Sequence, residues 1–256
     1  LTAALDSALH DRRIDLANLL LNSGAAIGTI DFADICSTMD AALMELYLRA
    51  GGDPGKENAF ARALTDYKAK PLLGFYRGMR AEFPALDPQA ALALQKAVSD
   101  RNLRWVSLLA WAGADPLLPV PHDLHDEWGS EDEMTTAATS ACWIDDEKFL
   151  RALKLKPTKE QALDLCHDVA YRPSIAKLEM FVRSCGDLNS GERQSCKALE
   201  DMVGQHKWRY EWRRPNPDED VQRLRCMEFL LDRGARWNPA DVEIRYVRQA
   251  LGTQDA

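Results

Sequence analysis

Five times along this chain an apolar run ends in a glycine turn: ANLLLNSGAA, MELYLRAGGD, VSLLAWAGAD, EMFVRSCGDL and MEFLLDRGAR. The anchoring glycines are Gly24, Gly51, Gly113, Gly186 and Gly234. Counting back 8, 5 and 4 residues gives Leu16/Leu19/Leu20, Leu43/Leu46/Tyr47, Trp105/Leu108/Leu109, Leu178/Phe181/Val182 and Cys226/Phe229/Leu230, all fifteen apolar. Residues at i, i+3 and i+4 share one face of an α-helix. A glycine just past that helix suits the left-handed conformation, which a Cβ penalises.

A second triplet lies upstream, 19, 16 and 15 residues before the anchor: Leu5/Ala8/Leu9, Phe32/Ile35/Cys36 and Leu94/Ala97/Val98, with Cys166/Val169/Ala170 one residue out of step. Each unit therefore reads as helix, turn, helix, glycine turn. Two long gaps each hold a degenerate unit. Phe60/Ala63/Leu64 and Leu72/Phe75/Tyr76 lead to Arg80 at the anchor position. Ala138/Ala141/Cys142 and Phe149/Ala152/Leu153 lead to Pro157. Seven anchors result, and internal repetition of this kind marks stacked units that cannot bury their faces alone. Leu108, Leu109, Phe229 and Leu230 are expected to be buried between units. Asn238-Pro239 should cap a last helix over about 239–251, carrying Val242, Tyr246 and Val247.

Asp53-Pro54 and Asp115-Pro116 follow two of the glycine turns and block helical continuation. Together with runs such as Leu108–Pro116, LLAWAGADP, this pattern resembles the ankyrin repeat in a divergent form, of the kind seen in many bacterial proteins. The resemblance is strong in the five glycine-anchored units and touches nearly the whole chain. It departs from the family in lacking the T-P-L-H turn and in its variable unit length. It implies an all-α, ankyrin-like helical-hairpin solenoid of about seven units, a single domain over 1–256 with two loop insertions. The tetratricopeptide pattern has no Gly-Ala-Asp turn and fits less well.

The 256 residues carry 32 Lys+Arg against 40 Asp+Glu, a net charge of −8. That balance argues against a general nucleic-acid binder. No apolar run is long enough to span a membrane. The opening LTAALDSALHDRR mixes acid and base and does not read as a signal peptide; a start at Leu1 fits a segment of a longer protein or the product of a removed tag. Six cysteines, with no C-x-x-C pair, are too sparse for a disulfide framework and suit a reducing, cytoplasmic setting. Cys185 and Cys196 are close enough in sequence to meet across a turn. No Gly-rich phosphate loop, G-x-S-x-G elbow or H-E-x-x-H occurs, so no enzyme, cofactor or metal is assigned. Cys166-His167 reads as a core cysteine beside a surface or groove histidine, because i and i+1 diverge on a helix.

The first insertion, about 117–134, runs LLPVPHDLHDEWGSEDEM. Pro119 and Pro121 fix an extended approach, and from His122 to Glu133 there are six acids and no base. His122 and His125 with Asp123, Asp126 and Glu127 are ligand types, but nothing fixes their geometry. The functional reading is an acidic contact loop, with Asp123, Asp126, Glu127 and Trp128 meeting a basic partner.

The second insertion, about 204–222, contains GQHKWRYEWRRPNPDEDVQ. Trp208, Tyr210 and Trp212 alternate with Arg209, Glu211 and Arg213, a period of two that predicts an extended finger with one aromatic face. With Arg214 this is the composition of interface hot spots. The alternative is a lengthened first helix whose aromatics pack on the next unit.

The function expected from these features is a protein–protein interaction scaffold, holding its partner on the concave first-helix face and the two insertions. Alternatives are an inhibitor or immunity-type protein whose acidic loop plugs a basic active site, or the repeat region of a larger effector or regulatory protein, which could be delivered to another cell.

Overall fold

The computed structural model describes residues 1–66, 70–121, 134–189, 195–212 and 217–236, with only the backbone described at 205–212 and 217. Among these the chain is all-α. Fourteen helices follow one another in seven consecutive pairs. They are α1 (Thr2–His10) and α2 (Ile14–Asn22), α3 (Phe32–Thr38) and α4 (Ala41–Arg49), α5 (Ala59–Thr65) and α6 (Lys70–Met79), and α7 (Leu86–Ser99) and α8 (Leu103–Ala112). Then come α9 (Ala137–Cys142) and α10 (Lys148–Leu153), α11 (Lys159–Tyr171) and α12 (Ile175–Cys185), and α13 (Lys197–Trp212) and α14 (Pro217–Asp232). No helix among the described residues is long and apolar enough to cross a membrane.

Several starts are fixed by side chains that satisfy the orphan N–H groups of a first turn. Asp31 accepts from Ala33 N, Asp40 from Ala42 N and Leu43 N, and Asn102 from Trp105 N. Thr158 and Gln161 form a reciprocal capping box on α11.

The helices gather into two compact units: Leu1–Ser140 with Ala152–Lys154, and Ala141–Arg151 with the chain from Leu155 onward. In the first unit each helix packs on its own pair partner, and α1, α3, α5 and α7 pack in succession. The second helices α4, α6 and α8 form a parallel succession. In the second unit α11 packs on α12 and α13, and α14 on α12 and α13. The first helices form the core. Every residue of the seven upstream triplets, counting Leu199/Met202/Val203 of α13, is buried except Ala63, which is half-buried.

The second-helix triplets are buried less evenly. The middle position drifts outward: Leu19 is 61% exposed, Leu46 is 43% exposed and Leu108 is half-buried. A small amphipathic helix packed on two sides leaves that position at the rim, and Met44, Leu48 and Val106 enter the core instead. Leu109, Phe229 and Leu230 are buried as expected.

All five anchor glycines have positive φ, between 67° and 102°. The degenerate anchors differ. Arg80 stays out of the left-handed region and donates instead to the carbonyl of Gly113, tying one turn to the next. At the fifth pair α10 stops at Leu153 and Lys154 takes φ 52°, so the turn lies three residues before the expected Pro157. The buried set there is Phe149, Leu150 and Leu153 rather than Phe149, Ala152 and Leu153. Arg12, Met39 and Arg101 adopt φ near 55° in the tight turns inside the pairs, where no glycine marks the bend.

Gly113→Ala should destabilise by about 1–3 kcal/mol, because a Cβ at φ 102° is strained and would collide with the Arg80 guanidinium. Gly24→Ala, with open space around the new Cβ, should cost about 1 kcal/mol. Urea unfolding of the two variants tests this; equal losses would mean that the Arg80 contact contributes nothing.

The approach to the first insertion is extended, as Pro119 and Pro121 lead one to expect. Val120–Pro121 and Met134–Thr135 pair as two short antiparallel strands, Val120 opposite Thr135, and clasp the two ends of the first insertion. The second insertion is not an extended finger. Its extra residues lengthen α13 and α14 to 16 residues each. The expected capping helix over 239–251 lies outside the described residues.

Candidate functional site

The contact residues expected from sequence fall in two places. Asp123, Asp126, Glu127 and Trp128 lie outside the described residues, as do Arg213 and Arg214. Trp208, Arg209, Tyr210 and Trp212 have helical backbone, on the last turns of α13. On a helix, positions 208 and 212 are one turn apart and position 210 does not share their face. The backbone over 208–212 is therefore a lengthened first helix and not the extended finger.

In the second unit a different set of side chains meets at the surface. Trp143 follows α9 and is 55% exposed; Tyr171 ends α11 and is 37% exposed. Their rings stack, with centroids 5.8 Å apart and planes at 29°. One turn back on α11, the His167 imidazole meets Tyr171 edge-on at 5.6 Å. Its Nε2 lies 2.5 Å from Oδ2 of Asp201, on α13. The packing of α11 on α13 brings these groups together.

The register explains the placement. Trp143 and Tyr171 each come directly after a buried first-helix triplet, Ala138/Ala141/Cys142 and Cys166/Val169/Ala170. The same position in the next pair is Gly204, where a Cβ would meet nothing within 4 Å. Sequence reasoning missed this pair, although the shared offset was readable. His167 is the groove histidine anticipated beside the buried Cys166.

Beside this surface the chain buries a cation. Lys177, in the first turn of α12, is 1% exposed. Its Nζ donates to the carbonyls of Cys142 at 2.8 Å and Ile144 at 2.7 Å. Burial holds the Lys177 pKa below its ordinary value, although nearby acidic groups oppose the shift.

All six cysteines are free and buried. Cys185 lies 3.9 Å from Cys166, sulfur to sulfur, a neighbour that the sequence spacing does not suggest. The hydrogen bond to Cys185 and burial push the Cys166 thiol up; burial alone pushes Cys226 up to about 12. Such thiols are poor nucleophiles. Among the described residues no group of three or more His, Cys, Asp or Glu is placed to hold a metal ion.

What the arrangement offers chemically is an aromatic platform beside carboxylates, which suits a cation. Comparison of the sequence with protein-family models and with curated proteins finds no match to either.

Proposed function

We propose that this chain is an ankyrin-like helical-hairpin array that serves as a protein–protein interaction scaffold and not as an enzyme. The observation that carries the reading is the repetition itself. Seven helix pairs obey one burial rule on their first helices, and five end in a glycine of positive φ. Repetition of a unit extends a surface without building a closed pocket, and extended surfaces suit macromolecular partners. The partner sits on the first-helix face, which the ankyrin resemblance implies is concave, and on the two inserted segments. Six reduced, buried thiols fit a reducing, cytoplasmic compartment.

The inhibitor reading has one specific support. The β-pair at Val120–Pro121 and Met134–Thr135 holds together the two ends of the acidic segment 122–133, as a projecting plug requires.

Affinity capture with the full chain, followed by binding measurements on the purified partner, tests both. Trp208→Ala/Tyr210→Ala/Trp212→Ala and Asp123→Asn/Asp126→Asn/Glu127→Gln are the informative variants. The scaffold reading expects at least about tenfold weaker binding for one of them. The inhibitor reading expects the loss in the acidic set, with a basic enzyme as the captured protein. A chain that retains no partner from its native extract, or that turns over a substrate, would overturn the scaffold.

A further inference from the structure

The chain shows how it treats an exposed tryptophan when it supplies the partner itself. Trp111 is 53% exposed, and the Arg77 guanidinium lies over its ring at 4.2 Å. Trp143 is equally exposed and is stacked on Tyr171, yet no cation from the described residues covers either ring. The surroundings favour one. Over α11 with the following Arg172, and over 197–204 of α13, the charged residues are Glu160, Asp164, Asp168, Glu200 and Asp201 against Lys159, Arg172 and Lys197, which leaves a net charge of −2. Glu200 Oε1 accepts no hydrogen bond from any described residue. Asp145 and Asp146, both exposed, follow Trp143 after the buried Ile144. Gly204 stands at the position where the two preceding pairs place an aromatic ring, and a Cβ there would meet nothing within 4 Å among the described residues.

We propose that the Trp143–Tyr171 stack with its ring of carboxylates is a docking surface for an arginine-bearing segment of a protein partner. This rests on the scaffold reading and names the surface and the chemistry it recognises. Arginine fits better than lysine. Its planar guanidinium stacks on the aromatic pair while its N–H fork pairs with a carboxylate, and it gives up less hydration than an ammonium. A second cation on the same segment then faces the exposed Asp164. Exposed carboxylates supply steering and specificity, and the aromatic stack supplies the desolvated contact.

The probe is fluorescein-labelled nona-arginine, titrated by anisotropy at physiological ionic strength, with nona-lysine alongside. Wild-type chain should bind nona-arginine at least about fivefold more tightly than nona-lysine. Trp143→Ala/Tyr171→Ala and Asp145→Asn/Asp164→Asn should each weaken nona-arginine binding tenfold or more. Asp6→Asn/Asp11→Asn, which removes two exposed acids from the other unit, should change it less than twofold. Equal losses in all three variants would mean attraction to net charge and overturn the surface. So would an unchanged affinity in the aromatic variant.

Because a double variant could disturb folding, amide and indole NMR of the wild-type chain gives a second readout. Nona-arginine should shift the Trp143 indole and the amides of 164–171 and 200–204; shifts concentrated elsewhere would overturn the proposal. The two readings fail separately. If a captured native partner binds Trp143→Ala/Tyr171→Ala as well as wild type, the scaffold stands and this surface falls. If no partner is ever captured while the NMR shifts map here, the surface stands and the scaffold falls.

Discussion

Phe60→Ala should lower the unfolding free energy by about 3–5 kcal/mol, the usual range for truncating a fully buried aromatic ring. Phe60 is 0% exposed and sits on α5, between α3 and α7. Its ring lies 5.9 Å from Phe32, 6.3 Å from Phe75 and 6.4 Å from Tyr76, and Phe32 in turn stacks on Tyr47 at 4.6 Å. One side chain thus joins two successive helix pairs, α3/α4 and α5/α6. Its loss removes the transfer energy of the ring and leaves a cavity whose walls belong to separate elements, so local collapse cannot close it. Because each pair is stable only against its neighbours, the damage should spread across the first unit. Urea unfolding should show the shift at constant m-value, and Phe60→Leu should recover part of it. A loss below about 1 kcal/mol would mean that the cluster does not hold these pairs together.

The helix pairs were legible because their signal is redundant. Each unit repeats two apolar triplets at fixed offsets and, in five cases, a glycine that the left-handed turn demands. That redundancy located all seven pairs, even where Arg80 replaced glycine. It failed at the fifth, where Pro157 suggested the anchor but Lys154 makes the turn. A single left-handed lysine costs about 1–2 kcal/mol and leaves no trace in composition. Arg12, Met39 and Arg101 escaped notice for the same reason.

The misreading of 208–212 has a different origin. Alternation of aromatic and charged residues mimics a strand over five positions, but Leu199, Met202 and Val203 already commit the segment to helix. Propagating an existing helix by two turns is easier than starting a new element. Surface chemistry was harder to read than the core. Trp143 and Tyr171 are 28 residues apart in sequence and meet only because consecutive pairs stack in register. The His167–Asp201 contact likewise needs α13 placed against α11, which no local pattern encodes.

Lys177→Met should destabilise the second unit by about 2–4 kcal/mol, although it removes a buried charge. The methionine fills most of the lysine stem's volume, so packing changes little. What is lost is the donor to two carbonyls, Cys142 and Ile144, just where α9 ends and its last C=O groups have no intrahelical partner. A buried acceptor left unmade costs about 1–3 kcal/mol, and two of them outweigh the desolvation relieved by deleting the ammonium. The pH dependence separates this account from simple loss of packing. Burial lowers the Lys177 pKa in the folded chain, so between that value and the ordinary one near 10.5 the unfolded chain binds more protons. Stability from this group therefore rises with pH through that window. Neutral lysine still donates through its amine, whereas methionine neither titrates nor donates. The stability gap between wild type and Lys177→Met should consequently widen from pH 7 to pH 10, as measured by urea unfolding. A gap that narrows, or a variant as stable as wild type at pH 7, would show that the two carbonyls find other donors and that the buried ammonium is not what closes the end of α9.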